Sequence, residues 1–373
     1  MKFQILLVFA LVFPLFGVAQ DQSFYTFKEV VNNSSTPTKD QCMTGTCWSY
    51  ATTSFLESEL IRTGKGEHDL SEMYNVRMTY PKKAENYVRY QGKAQFGPGS
   101  LSHDVLFALE DYGIVPESVY DGIEYGAERH NHGEMDAVLE AMMEALVDQG
   151  PGKLTPSWSN AVEGVLDAYL GAPPEEFSYQ GKKYTPSSFR DAMGLKAADY
   201  VNLSSFTHHP FYNSFVLEVP DNFSRGSFYN VPLDDLVAMT EKALNAGYTL
   251  SWDADVSERG FSFRNGMAVM PEDGVDKSNM FIEETPEMKV TQDNRQAAFD
   301  SQATTDDHLM HIVGIANDQF GNPYFIVKNS WGSSNPYGGI QYVSYPYFKM
   351  KTISVLVHKN ALSKELKSKL SIK

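Results

Sequence analysis

Apolar positions along the chain follow a period near 3.6 in its first half and a period near two in its last third. From 48 to 62 there is neither Gly nor Pro, and Ala51, Phe55, Leu56, Leu60 and Ile61 fall at helical spacing ahead of Gly64, which predicts a helix. A second helix is predicted over 101–112, closed by Gly113. A third is predicted over 134–149, where Met135, Val138, Leu139, Met142, Leu146 and Val147 share one face. That methionine-bearing stripe reads as core. Shorter helical stretches at 161–170 and 187–193 sit in text rich in Pro, Gly, Ser and aromatics, so 120–247 reads as an elaborated, mostly helical insertion. Its last part, 233–246, has Pro232 at the first helical position and Gly247 past the end.

Beyond 247 the pattern is that of strands. Segments 248–254, 311–316, 324–328, 340–344 and 352–357 alternate or run apolar at strand length, and 318–322 is a Gly-containing connection of hairpin length. Segment 24–31 has weak strand character. Helices followed by an antiparallel sheet predict an α+β chain of two lobes, one helical and one sheet-rich.

Composition narrows the function. The 373 residues are 42% hydrophobic and 21% charged, ordinary for a folded protein, and 31 Lys+Arg against 47 Asp+Glu give a net charge of −16. Such a field repels phosphate backbones and anionic lipid, so nucleic acid is not expected as a partner. The basic tail, 364–373, reads as a solvated helix.

Lys2, the apolar stretch Ile5 to Leu15 and the small-residue pattern Gly17-Val18-Ala19 predict a signal peptide over 1–19 and an exported chain, periplasmic or extracellular, cleaved near Ala19. The apolar stretch is too short to span a bilayer, and no integral membrane anchor is expected. The chain has two cysteines, Cys42 and Cys47, too few for a disulfide framework and too close for an easy bridge, so at least one is expected as a thiol.

Cys47 stands at the start of the first predicted helix, where the helix dipole and unpaired backbone N–H groups favour thiolate over thiol. Gly45 permits the tight turn into that helix, and Gln41 can turn an amide toward the same space. The stretch Gln41-Cys42-Met43-Thr44-Gly45-Thr46-Cys47-Trp48 resembles the active-site segment of papain-like cysteine peptidases. In the same order, His311-Ile312-Val313-Gly314-Ile315 resembles the histidine strand of that family and Lys328-Asn329-Ser330-Trp331-Gly332 its asparagine motif. Asp69-Leu70-Ser71-Glu72 resembles the Leu-Ser element that follows the catalytic helix, and Gly99-Ser100 sits where the family has a substrate-contacting strand. The long separation of Cys47 from His311, with Leu170-Gly171-Ala172-Pro173-Pro174-Glu175-Glu176-Phe177, Tyr184-Thr185-Pro186 and Tyr229-Asn230-Val231-Pro232-Leu233-Asp234, resembles the bleomycin hydrolase or aminopeptidase C branch.

The resemblance implies a papain-like two-lobe fold over 20–373 and a thiol-dependent peptidase acting on peptides through a thioester acyl-enzyme. Cys47 is expected to attack, His311 to hold and return the proton, and Asn329 to orient His311. Gln41 and the Cys47 N–H would face the developing oxyanion, Trp331 would shield the Asn329–His311 bond, and Gly99, Ser100 and Trp331 would meet the substrate. A different Cys-His-Asn acyl-transfer reaction, on cell-wall or other non-protein peptides, is the alternative. Thr44 stands where secreted papain-like enzymes carry a second Cys, so Cys42 reads as structural. The branch ends in an arm that limits it to free N-termini; this sequence stops at Lys373, which leaves aminopeptidase and endopeptidase both open. The branch also implies a homo-oligomer. No cofactor is expected, and the pairs His308/His311, His130/His132 and His208/His209 lack a third metal ligand at recognisable spacing.

Overall fold

Helices and a single large sheet bury separate apolar clusters across residues 24–373, the part of the chain that this computed structural model describes. The predicted leader, 1–19, lies outside the described residues. The chain opens with β1 (Phe27–Asn32) and then α1 (Cys47–Arg62), which is buried on all sides from Cys47 to Leu60. Several of its polar residues find partners there, Ser49 Oγ donating to the Glu72 carbonyl at 2.7 Å and Thr52 Oγ1 lying 3.2 Å from Ser251 Oγ, while Ser58 Oγ has none among the described residues. Next come α2 (Glu72–Arg89), with Pro81 in its interior and Ser71 capping the Tyr74 N–H, and α3 (Ser102–Asp111). α4 (Gly133–Val147) and α5 (Ser157–Leu170) follow; of the methionine-bearing stripe Met135 and Leu139 are buried, Met142 and Leu146 half-buried and Val138 exposed, while Met143, outside the predicted stripe, completes the buried face.

Segment 120–247 is not only a helical insertion. It holds the hairpin β2 (Phe177–Tyr179) and β3 (Lys182–Tyr184), then α6 (Pro186–Met193), but also β4 (Tyr200–Ser204), β5 (Ser214–Val216) and β6 (Ser227–Asn230), ahead of α7 (Leu233–Asn245). The last three strands form one end of the main sheet. These strands are short, three to five residues, and carry no clear alternation, so period counting passes over them.

The rest of the sheet is β7 (Leu250–Ala254), β8 (Phe261–Ser262), β9 (Met267–Ala268), β10 (His308–Asp318), β11 (Pro323–Lys328), β12 (Ile340–Ser344) and β13 (Thr352–His358), with α8 (Gln292–Asp300) and α9 (Tyr345–Lys351) between them. The order is β5-β6-β4-β13-β7-β10-β11-β12-β9-β8, with β1 added to β10, eleven strands in all. Most pairs are antiparallel, as expected, but β4–β6 and β12–β9 are parallel. The tail forms α10 (Lys364–Lys369), and it is not simply solvated: Leu366 and Leu370 are buried in the sheet's apolar cluster. No helix among the described residues is long and apolar enough to cross a membrane.

Two consequences position the site. α1 packs with its N-terminus toward β10, and β10 begins at His308, three residues before the strand predicted from the apolar run.

Candidate active site

Cys47 is the first residue of α1, delivered by Gly45, whose Cα is so close to Pro98 that an added Cβ would stand 2.5 Å from its Cγ. Trp48 is fully buried and donates its indole N–H to the Pro98 carbonyl at 3.0 Å, which fixes the Pro98–Gly99 segment against α1. Burial is the main cause that pushes the Cys47 thiol up to about 12, with Asp306, Asp221 and Asp253 adding to it. The Leu309 backbone beside the sulfur acts in the opposite direction.

The histidine beside Asn329 is His308, not His311. His308 Nε2 lies 2.8 Å from Asn329 Oδ1. The amide's orientation is set independently: its Oδ1 also accepts the Ser330 N–H at 2.7 Å, and its Nδ2 donates to Gln341 Oε1 at 2.5 Å. His308 Nε2 therefore carries the proton, and Nδ1 is left as the basic nitrogen. Trp331 lies over the imidazole at 4.5 Å between ring centroids, with Phe261 and Phe263 edge-on to the indole. Burial holds the His308 imidazole down to about 4, so the ring rests neutral.

His311 is placed elsewhere. Three residues along a strand is an odd offset, so it projects from the opposite face of β10. There its Nδ1 meets Ser54 Oγ at 2.8 Å, and Ser54 Oγ in turn accepts Lys328 Nζ at 2.7 Å. Lys328 also donates to Thr36 Oγ1, which donates to Glu57 Oε2 at 2.5 Å. The expected Asn329–His311 bond is thus replaced by Asn329–His308, and His311 belongs to a buried polar network behind the site. The misreading came from the apolar run, which favoured the histidine inside the strand. The signal available in the sequence was the parity of the two positions, since residues an odd number apart on a strand cannot both face Asn329.

Gln41 is buried between the two motifs. Its backbone N–H donates to the Ser330 carbonyl at 2.8 Å, its Oε1 accepts Ser330 Oγ at 2.6 Å, and its Nε2 donates to the Thr44 carbonyl at 2.8 Å, leaving one amide proton. Gly99 packs against Asp221, and its carbonyl accepts Lys83 Nζ. Ser100 does not offer its side chain to that space, because its hydroxyl donates to Asp104 Oδ2 at 2.6 Å at the head of α3. Trp331 covers the His308 ring, so its role as a substrate contact gives way to that of a lid on the His308–Asn329 bond. Cys42, at φ +57°, and Cys47 are both free thiols.

His208 and His209 do gain a third neighbour. Their Nε2 atoms lie 3.1 and 2.7 Å from the two oxygens of Glu218. Gln296 Nε2 donates to His208 Nδ1 at 3.0 Å, which puts that ring's proton on Nε2, toward Glu218, where a metal ligand would need a lone pair.

A helix headed by a cysteine, packed on a sheet that presents a His-Asn pair, agrees with a papain-like cysteine peptidase. The chain belongs to the Peptidase C1-like family, whose profile matches residues 100–373, and within it stands on the bleomycin hydrolase or aminopeptidase C branch. It is 23% identical to aminopeptidase G of Lactobacillus delbrueckii subsp. lactis over 89% of this chain and 83% of the relative. It is 22% identical to the mitochondrial cysteine proteinase 1 of Saccharomyces cerevisiae over 94% and 80%. The fold is similar to the crystal structure of PepW from Lactobacillus rhamnosis, with a TM-score of 0.73, 18% identity, and 92% and 84% of the two chains covered.

Proposed function

We propose that the chain is an exported thiol peptidase that cleaves peptide bonds through Cys47, His308 and Asn329. The observation that carries this is the 2.8 Å His308–Asn329 bond, capped by Trp331, with Cys47 at the head of the helix packed against the same strand. As Cys47 Sγ attacks the carbonyl carbon, the thiol proton passes to His308 Nδ1; the imidazolium then returns it to the leaving amine, and water resolves the thioester with His308 again as base. Asn329 keeps the ring in the tautomer that this exchange needs. The free Gln41 amide proton and the Cys47 N–H stand where charge develops on the carbonyl oxygen. Export is supported by Lys2, Ile5 to Leu15 and Gly17-Val18-Ala19.

The test is hydrolysis of fluorogenic peptides by the mature protein under reducing conditions, with labelling by a peptidyl epoxide. Label confined to Cys47 and hydrolysis lost in both Cys47→Ala and His308→Ala support the reading. Undiminished hydrolysis in either variant defeats it.

A further inference from the structure

Asn329 touches His308 with one end of its amide, and Gln341 meets the other end. Gln341 is fully buried on β12, directly across from Val327 on β11. Side chains two residues apart on a strand share a face, so Gln341 lies diagonal to Asn329, a separation that a long side chain spans. The backbone beside it is fixed. Asn329 donates its N–H to the Gly339 carbonyl at 3.2 Å. Asn335, also buried, accepts the Tyr337 and Gly339 N–H groups on its Oδ1 at 3.1 and 2.7 Å and donates from Nδ2 to the Ile340 carbonyl at 2.7 Å, which holds the turn that leads into β12.

The Ser330 N–H can only donate, so the Asn329 atom that it meets at 2.7 Å is the oxygen, and the atom turned to Gln341 is the NH2 nitrogen. Gln341 must then present its own oxygen, which accepts Asn329 Nδ2 at 2.5 Å, and its NH2 group faces away. That NH2 group finds no acceptor among the described residues. A buried amide with its donors unpaired is costly, and an apolar side chain would fill the place opposite Val327 without that cost. The hydrogen bond that the Gln341 side chain does make among the described residues goes to Asn329.

We propose that Gln341 is a positioning residue for the peptidase reaction: by accepting Asn329 Nδ2 it keeps Asn329 Oδ1 on His308 Nε2. This rests on the peptidase reading above and extends its machinery one side chain behind the His-Asn pair. The terminal torsion of an asparagine is broad and soft, and without Gln341 the Ser330 N–H alone would hold it on this side. An amide turned over would set its NH2 group against two donors, the Ser330 N–H and the His308 Nε2–H. One turned partway would lose the bond that orients the ring. With Gln341 in place the series Gln341–Asn329–His308 assigns donor and acceptor at every link, and the basic nitrogen of His308 is left at Nδ1.

Steady-state hydrolysis of a fluorogenic peptide tests this, with circular dichroism confirming that each variant folds. Gln341→Met keeps the length of the side chain but not its oxygen, and should lower kcat by about 3–10-fold with KM unchanged, the worth of one hydrogen bond. Gln341→Asn, one methylene too short to reach, should show the same loss and decides the matter if Gln341→Met does not fold. Gln341→Glu keeps an oxygen toward Asn329 and should restore most of kcat. In an Asn329→Ala background Gln341→Met should cost no further activity, because the two side chains act in series. Native kcat in both shortened and apolar variants, a change confined to KM, no rescue by Gln341→Glu, or losses that add in the double variant overturn the proposal and leave the peptidase reading intact. No hydrolysis by the native chain defeats the peptidase reading and this one with it.

Discussion

His308 donates its Nε2 proton to Asn329 Oδ1 at 2.8 Å, across the gap between the start of β10 and the end of β11. The bond leaves Nδ1 as the nitrogen that can take a proton, and Trp331 keeps water from competing for it. A histidine three positions further along makes none of these contacts. His308→Ala should therefore lower kcat/KM by about 10²–10⁴-fold, the usual worth of a positioned acid–base group. His311→Gln should retain epoxide labelling of Cys47 while lowering the unfolding temperature, because it disturbs the Ser54–Lys328 network instead. The reverse pattern in the two variants would reassign the base.

Asn329 acts through His308, so its loss should misplace the ring without removing it. Asn329→Ala should reduce kcat by about 10²-fold, the cost of a misplacement near 1 Å, with little change in KM. Asn329→Gln, whose longer side chain cannot keep both the Gln341 and the His308 contacts, should fare no better. A change confined to KM would show that Asn329 touches substrate rather than orienting the base.

The position of Cys47 at a helix start, the asparagine and the helix itself were legible because each is local: a Cys-Trp pair after a Gly turn, an Asn-Ser-Trp-Gly run, a helix without breakers. The histidine beside Asn329 was harder to place, because choosing between His308 and His311 requires knowing which face of β10 meets Asn329 and Trp331, and an apolar run such as Met310 to Ile315 hides that parity. α2 escaped notice for a similar reason, since Pro81 sits inside it and its polar positions outweigh its apolar ones. The contact of Asp221 with Gly99 was not legible either, because it joins segments far apart in the chain.

Arg295 is fully buried without a carboxylate partner. Its guanidinium donates instead to four backbone carbonyls, those of Ser205 at 2.8 Å, Lys349 at 2.9 Å, Met350 at 3.4 Å and Thr352 at 2.5 Å, and stacks on Phe206 at 4.6 Å. It thereby ties α8 to the end of β4 and to the junction of α9 and β13. A lysine has three donors on a flexible stem and cannot span these acceptors. Arg295→Lys should destabilise the fold by about 2–4 kcal/mol, read from denaturant unfolding, the cost of leaving buried carbonyls unpaired. A loss below about 0.5 kcal/mol, the range of ordinary surface changes, would show that the four bonds are not structural.

Glu287 supplies a pH test that is independent of the active site. Burial raises its carboxyl to about 7, against the Met270 N–H at 2.6 Å and the Ser344 hydroxyl at 2.5 Å, both of which favour the charged form. A carboxyl raised on folding holds its proton more tightly in the native state, so its contribution to stability is complete below its unfolded value near 4.5 and is lost as pH climbs through about 7. The native protein should lose stability between pH 5 and 8, with Glu287 accounting for up to about 3 kcal/mol of that loss. Glu287→Gln keeps an oxygen for both donors but has no proton to lose, so its unfolding temperature should fall less over the same interval. Parallel curves for the two proteins would mean that Glu287 is already ionised in the fold at pH 5, and that Met270 and Ser344 outweigh its burial.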